Sequence, residues 1–189
     1  MEKTDEELIL EYIAGDESAF KSLITRYSKP LYFFIFRMTN KADMSEDVLQ
    51  DVCIKIWKNI SKYKIGSGTF KSLAFTIARN TTIDHLRKKK MLVVSDFDTV
   101  DGKNYLMDTV SDPETIPEVL IEKAEQKNTI TKIMENLSIE EREILTLHYQ
   151  EEMTFEEIGK IMEKSLNTVK SKHRRAVFKL KNYLEKSNN

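Results

Sequence analysis

The sequence predicts an all-α protein: two small helical domains, an N-terminal helical bundle and a C-terminal helix-turn-helix, joined by a flexible acidic linker. Three observations predict this. Gly and Pro are scarce, 5 and 3 in 189 residues, too few for the turns of an all-β fold. Apolar residues recur at three- and four-residue spacings on both sides of residues 91–117, and the period is lost within them. Helix-start signals of the form Ser/Thr-x-x-Glu stand before several of the apolar stripes.

In chain order, Thr4 with Glu7 opens a short helix over 5–14, and Gly15 stops it. Asp16 caps the next helix, whose stripe is Phe20, Leu23, Ile24, Tyr27, Leu31, Phe34, Ile35 and Met38. Pro30 is expected to kink or break it. Asp43 with Glu46 reads as a second capping signal, before the stripe Val48, Leu49, Val52, Ile56, Trp57 and Ile60. Residues 64–69 hold two of the five glycines and read as a loop. Helix resumes from Phe70 through Leu73, Phe75, Ile77, Ile83 and Leu86, and ends near the run Arg87-Lys88-Lys89-Lys90. Pro117 starts the next helix, which runs to about Asn136. Ser138 with Glu141 opens a helix to Tyr149, and Thr154 with Glu157 opens one over 155–162. Ser165 caps the last helix, which runs to Leu184. The domains are therefore expected at 1–92 and 118–189, with the linker at 93–117.

The formal net charge is −1, but the sum hides segregation. Residues 1–92 carry +4, 93–126 carry −7 and 127–189 carry +2. Asp43, Glu46, Asp47 and Asp51 form an acidic cluster, and residues 52–90 then hold ten bases and one acid. Residues 140–157 hold seven acids and one base, and 164–182 hold seven bases and no acid. Two basic stretches, each following an acidic one, predict two polyanion-facing surfaces. One cysteine, Cys53, excludes an internal disulfide, and His85, His148 and His173 have no metal-ligand spacing. The apolar run 31–36 is far too short to span a bilayer, and the N-terminus lacks the order of a signal peptide. No glycine loop for phosphate, metal motif or nucleophile motif points to catalysis. Cys53 lies on an apolar helix face, and Asp84-His85 has no nucleophile nearby in sequence. We expect no enzyme and no cofactor.

The most specific segment is C-terminal. A short helix, 154–162, precedes a turn at Glu163-Lys164 and a basic helix from Ser165. Ile158, Ile161, Val169 and Leu180 can lock two crossing helices, and Gly159 can supply their close approach. This segment, Leu137 to Leu145 before it, and Ser45-Glu46-Asp47-Val48-Leu49-Gln50-Asp51-Val52, Phe70-Lys71-Ser72, Ile77-Ala78-Arg79-Asn80 and Ile83-Asp84-His85-Leu86-Arg87 occur in one order around an acidic linker. The whole resembles a bacterial RNA polymerase sigma factor of the extracytoplasmic-function (ECF) group, with the second conserved region N-terminal and the fourth C-terminal. Three departures stand out: Leu73-Ala74 where that family often has Trp-Leu, and Glu152 and Glu163 where it often has Gly.

The resemblance implies a transcription initiation factor that binds core RNA polymerase and directs it to promoters. Glu46, Asp47, Gln50 and Asp51 match the contact to the clamp helices of the largest polymerase subunit. Lys64, Ser67, Thr69, Lys71, Arg79, Asn80, Arg87 and Lys88 fall where the family holds and melts the −10 element. Asn167, Lys170, Ser171, Lys172, Arg174 and Arg175 fall on the reader of the −35 element. The helix at 140–149 would face the polymerase flap region. The family also implies an anti-sigma factor as partner, often membrane-bound, which would hold this cytoplasmic chain near a membrane without inserting it. The rival reading is an ordinary helix-turn-helix regulator with a sensor domain, which leaves the acidic-then-basic pattern of 43–90 without purpose.

Overall fold

The computed structural model describes residues 3–64, 66, 68–94 and 136–187. Every regular element among them is helical: α1 (Asp5–Ile13), α2 (Glu17–Thr39), α3 (Ala42–Ile60), α4 (Phe70–Val94), α5 (Ile139–Leu145), a π-helical turn (Thr146–Gln150), α6 (Phe155–Met162) and α7 (Leu166–Ser187). The linker at 93–117 and the helix expected from Pro117 to Asn136 lie almost wholly outside the described residues.

Local chemistry starts most helices where the sequence places them. Thr4, Ser138 and Thr154 each form a reciprocal capping box with the Glu three residues on. Asp16 accepts from the Ser18 amide at 2.9 Å, and Ser165 from the Thr168 amide at 3.2 Å. The exception is Asp43. Helix α3 begins at Ala42 and its N-cap is Lys41, so Asp43 sits inside the first turn with no reciprocal box to Glu46. Ser45 turns inward instead: its hydroxyl lies 2.6 Å from the Lys41 carbonyl and 2.7 Å from Thr39 Oγ1. Gly15, at φ +107°, ends α1 as expected.

Pro30 does not break α2, which runs unbroken from Glu17 to Thr39. A mid-helix proline costs about 3 kcal/mol. Against it stand Tyr27, Leu31, Phe34 and Ile35, buried on both sides of it, each worth about 1.5–3 kcal/mol. Helix α4 continues past Lys90 to Val94. The single helix expected to Tyr149 changes at Thr146 to π-type bonding, with the Glu151 amide donating to the Thr146 carbonyl at 3.2 Å.

The N-terminal bundle closes over Leu23, Phe34, Ile35, Val52, Ile56, Phe70 and Phe75, with Phe34 and Phe75 edge-on at 5.3 Å. In the C-terminal domain Ile144, Leu147, Ile158, Ile161 and Val169 are fully enclosed. The two cores are continuous, because α4 packs on α6 and α2 packs on α5. The helix-turn-helix has the close approach that the sequence called for. A Cβ on Gly159 would stand 2.9 Å from the Lys164 carbonyl oxygen. Glu163, at φ 54°, makes the left-handed turn, and Glu152 has the same φ.

Candidate nucleic-acid and polymerase interfaces

Helix α7 begins beside the Glu163-Lys164 turn and divides its polar residues between two sides. Asn167, Lys170, Arg174 and Arg175 are exposed. Spacings of three, four and seven put Asn167, Lys170 and Arg174 on one stripe, with Arg175 beside it. Two expected readers are held inward. Lys172 reaches Glu140 of α5 at 2.7 Å, and the Ser171 hydroxyl donates to the Thr168 carbonyl at 3.0 Å. Lys164 joins the same carboxylate at 3.2 Å. Burial pushes the Glu140 carboxyl up, but the two lysines together hold it below its ordinary value. Lys179 pairs with Glu141 at 2.8 Å. Thus α5 neutralises one side of α7 and leaves the other side basic.

The α4 face is divided too. Asn80, Arg87 and Lys88 are exposed at helical spacing with Asp84. Thr69 is exposed, but its hydroxyl oxygen accepts from the Ser72 amide at 3.2 Å, so it serves the start of α4. The preceding loop is drawn tight by Tyr63, whose hydroxyl donates to the Gly68 carbonyl at 2.6 Å. Gly66 and Gly68 take positive φ there. Lys64 is exposed, and Ser67 lies outside the described residues. Lys71 and Arg79 are part-buried and paired with acids. Lys71 meets the Glu151 carboxylate at 3.2 Å and donates to the Glu151 carbonyl. Arg79 meets Glu143 at 3.3 Å, with side-chain exposures of 11% and 1%. Both partners belong to the C-terminal domain. Leu73 and Ile77 pack on the core, as expected.

On α3, Glu46, Asp47, Gln50 and Asp51 are all exposed, and Asp51 Oδ2 lies 2.8 Å from His85 Nε2 of α4. The same face carries Ile54 and Trp57, 48% and 53% exposed. Trp57 had been placed in the buried stripe. The helical period explains the difference: Val52, Ile56 and Ile60 already fill the inward positions, and Trp57 falls one step round with Gln50, Ile54 and the acids. Cys53 is half-buried, and burial pushes its thiol up.

Residues 23–91 match the family Sigma-70 region 2, and residues 133–182 match Sigma-70, region 4. The ECF RNA polymerase sigma factor SigW of Bacillus subtilis strain 168 is 30% identical over 160 residues, 84% of each chain. The chain belongs to the ECF sigma factors. The ECF RNA polymerase sigma-E factor of Escherichia coli K12 is 27% identical over 174 residues, 92% of this chain and 90% of that one. The solved sigma factor RpoE of Bartonella quintana, in complex with the anti-sigma factor NepR, has the same fold. Its TM-score is 0.69 at 24% identity, over 88% of this chain and 96% of that one. CnrH, in complex with the cytosolic domain of CnrY, matches at TM-score 0.66 and 19% identity, over 96% and 97%.

As a member of that family, this sigma factor is a promoter-specific transcription initiation factor. Among its described residues, no helix is long and apolar enough to cross a membrane, and no His/Cys/Asp/Glu group could hold a metal ion. Two features of the sigma factor escaped the sequence reading. One is the apolar part of the α3 face, which the spacing of Gln50, Ile54 and Trp57 encodes. The other is a ring cluster beneath the helix-turn-helix. His148 and His173, 25 residues apart, lie with ring centroids 5.3 Å apart, and Phe155 stacks on His148 at 4.4 Å. Tyr149 Oη lies 2.9 Å from His173 Nε2. Burial, helped by His148, pushes His173 down to about 4, which keeps it neutral.

Proposed function

We propose that this sigma factor binds core RNA polymerase through the α3 face and reads promoter DNA with two separate basic faces. Residues 1–92 form the core-binding and −10 domain, 118–189 the −35 domain, and 93–117 the linker. The exposed basic side of α7, just after the helix-turn-helix turn, carries the reading. Lys170, Arg174 and Arg175, with Asn167, lie where a recognition helix meets phosphates and base edges of a major groove. Asn80, Arg87 and Lys88 hold the non-template strand of the −10 element, with Lys64 and Thr69 in the adjoining loop and Lys71 and Arg79 joining when the domains separate. On α3, Glu46, Asp47, Gln50 and Asp51 supply charge complementarity to the basic clamp helices, and Ile54 and Trp57 the apolar centre. The chain acts without catalysis of its own, as a subunit of the polymerase in the bacterial cytoplasm. An anti-sigma factor is its regulatory partner, in keeping with the complexes formed by the RpoE and CnrH structures.

The test is run-off transcription with core polymerase on promoters mapped from start sites after overproduction. Arg174→Ala with Arg175→Ala should lose use of the −35 element while core binding in a pull-down stays intact. Loss of core binding instead would mean the DNA face is misplaced. No factor-dependent transcript from any mapped promoter would reject the reading.

A further inference from the structure

Tyr63 closes the loop that leads into α4. Its hydroxyl donates to the Gly68 carbonyl at 2.6 Å. Its own amide donates to the Ile60 carbonyl at 3.1 Å, and its ring lies edge-on to Phe70 with centroids 6.3 Å apart. Phe70 is fully buried and meets Tyr27 edge-on at 5.2 Å, so the Tyr63–Gly68 bond ties the loop to the core of the N-terminal bundle. Gly66 and Gly68 stand at φ +89° and +140°, and a Cβ on either would meet nothing within 4 Å. These glycines serve backbone conformation and not close approach. A loop holding two of them has unusually much freedom to lose when it is ordered. Lys64 follows Tyr63 directly, and Thr69 follows Gly68 directly. Two of the loop residues assigned to the −10 element thus adjoin the two ends of this bond.

We propose that Tyr63 is a positioning residue for −10 recognition, whose hydroxyl clasps the loop shut before DNA arrives and fixes the spacing of Lys64 and Thr69. The clasp rests on the reading of this loop as part of the −10 face, and its test separates the two. The hydroxyl acts through the Gly68 backbone and has no need to touch DNA. It removes in advance part of the ordering entropy that a glycine loop otherwise loses when it grips a single strand, and preorganisation of this kind is a general source of affinity. Burial, with Glu6 and Asp5 of α1, pushes the hydroxyl up, so it keeps its proton and remains a donor. A phenylalanine would keep the ring against Phe70 and lose only the bond to Gly68, so packing and clasp are separable by one atom. Both ends of the bond belong to the N-terminal domain. Its loss should therefore act on opening at the −10 element and not on binding at −35.

Holoenzyme carrying full-length Tyr63→Phe is compared with wild type on one mapped promoter and on copies bearing single −10 substitutions. The variant should shorten the lifetime of the open complex about three- to tenfold, the size of effect expected for one lost hydrogen bond. Discrimination between the native and substituted −10 elements should narrow by a similar factor. Binding of the same holoenzyme to a −35 duplex, and recovery with core polymerase in a pull-down, should match wild type. The thermal midpoint of the free protein should stay within about two degrees, since the ring and its packing are kept. Wild-type lifetime and wild-type discrimination in Tyr63→Phe overturn the clasp. Equal losses at −10 and −35, together with a fallen thermal midpoint, overturn it too, because they show a general packing role. Asn80→Ala/Arg87→Ala on the same promoters reports on the reading beneath it. If that variant lowers −10 use and Tyr63→Phe does not, the clasp alone falls. If neither variant changes −10 use, the assignment of this face to the −10 element falls, and the clasp with it.

Discussion

Gly159→Ala separates close helix approach from helix propensity, because the two forces have opposite signs at this position. In the middle of a helix, Ala is worth about 1 kcal/mol more than Gly. Here the new methyl would stand 2.9 Å from the Lys164 carbonyl oxygen, and only 3.9 Å from Val169 Cγ2. The second distance is ordinary contact and the first is not. The obstacle is backbone, so it cannot swing away like a side-chain tip. The Lys164 amide donates to the Gly159 carbonyl at 2.9 Å, so moving the turn strains that bond as well. Overpacking of this kind costs about 1–3 kcal/mol, and a weakened hydrogen bond about 0.5–1.5 kcal/mol. The net expectation is about 1–2 kcal/mol of lost stability in the C-terminal domain. The turn also sets the direction of α7, so −35 recognition should fall further than stability alone explains. Urea unfolding followed by circular dichroism measures the first, and binding of the wild type and variant holoenzymes to a −35 duplex the second. A variant stabilised by about 1 kcal/mol, with unchanged recognition, would show that propensity wins and that the close approach carries no constraint.

Other outcomes follow from the same geometry. Glu163→Gly should stabilise the protein by roughly 0.5–1 kcal/mol, because a non-glycine residue at φ 54° carries left-handed strain exceeding the entropy cost of glycine; a urea midpoint that falls would contradict this. Trp57→Ala should weaken core polymerase binding at least about tenfold while leaving the thermal midpoint within a degree or two, since an exposed aromatic among acids fits a partner anchor. His173 is held down to about 4, below its unfolded value of 6.5, so the unfolded chain takes up the proton first. Stability should be full above pH 6.5 and fall progressively toward pH 4, and His173→Leu should flatten that limb in acid unfolding curves. Glu143 has the opposite sign. Burial pushes it up to about 7, against the pull of Arg79 and Lys164 and with a push from Glu140. Opening the domains hydrates it and returns it toward 4.5, so the closed form should gain as pH falls below 7 and lose as pH rises through it, read as a radius of gyration that grows from pH 6 to pH 8.

What was legible in the sequence was local. Three capping boxes, the Asp16 and Ser165 caps and the glycine under the helix-turn-helix depend on neighbours a few residues away. Each formed where the residues called for it. Errors arose where tertiary burial outweighed a local signal. Pro30 argued for a kink or a break, yet α2 runs unbroken through it between apolar residues buried on both sides. Asp43 argued for a cap, yet the buried Thr39–Ser45 contact set the start of α3 two residues earlier than a box would need. Trp57 was assigned by hydrophobicity, whereas its angular position assigns it to the surface. The sites divided in the same way. The exposure of Asn80, Lys170 and Arg175 follows from helical period. The fate of Lys71 and Arg79 turned on partners 80 and 64 residues away, across the linker, and no local pattern carries that information.

The seven acids of residues 140–157 bear on how a nearly neutral protein binds DNA. Read along the sequence they suggest an acidic surface. In the fold, Glu140 holds Lys164 and Lys172, Glu141 holds Lys179, Glu143 holds Arg79, Glu151 holds Lys71, and Glu157 caps its own helix. Four of the seven, Glu140, Glu141, Glu143 and Glu151, are counter-charges to bases that follow and precede them, while Glu152 and Glu156 are exposed. Neighbouring lysines of α7 should therefore behave differently. Lys170→Ala should weaken −35 binding across sequences and flatten the salt dependence by about one unit, as expected for a lost phosphate contact. Lys172→Ala should leave that slope unchanged and cost under about 1 kcal/mol of stability, because its partner Glu140 stays partly solvated and keeps Lys164. Equal slopes for the two variants would mean that the Glu140 pairing yields to DNA, and that the division of α7 into an outward and an inward basic side does not survive binding.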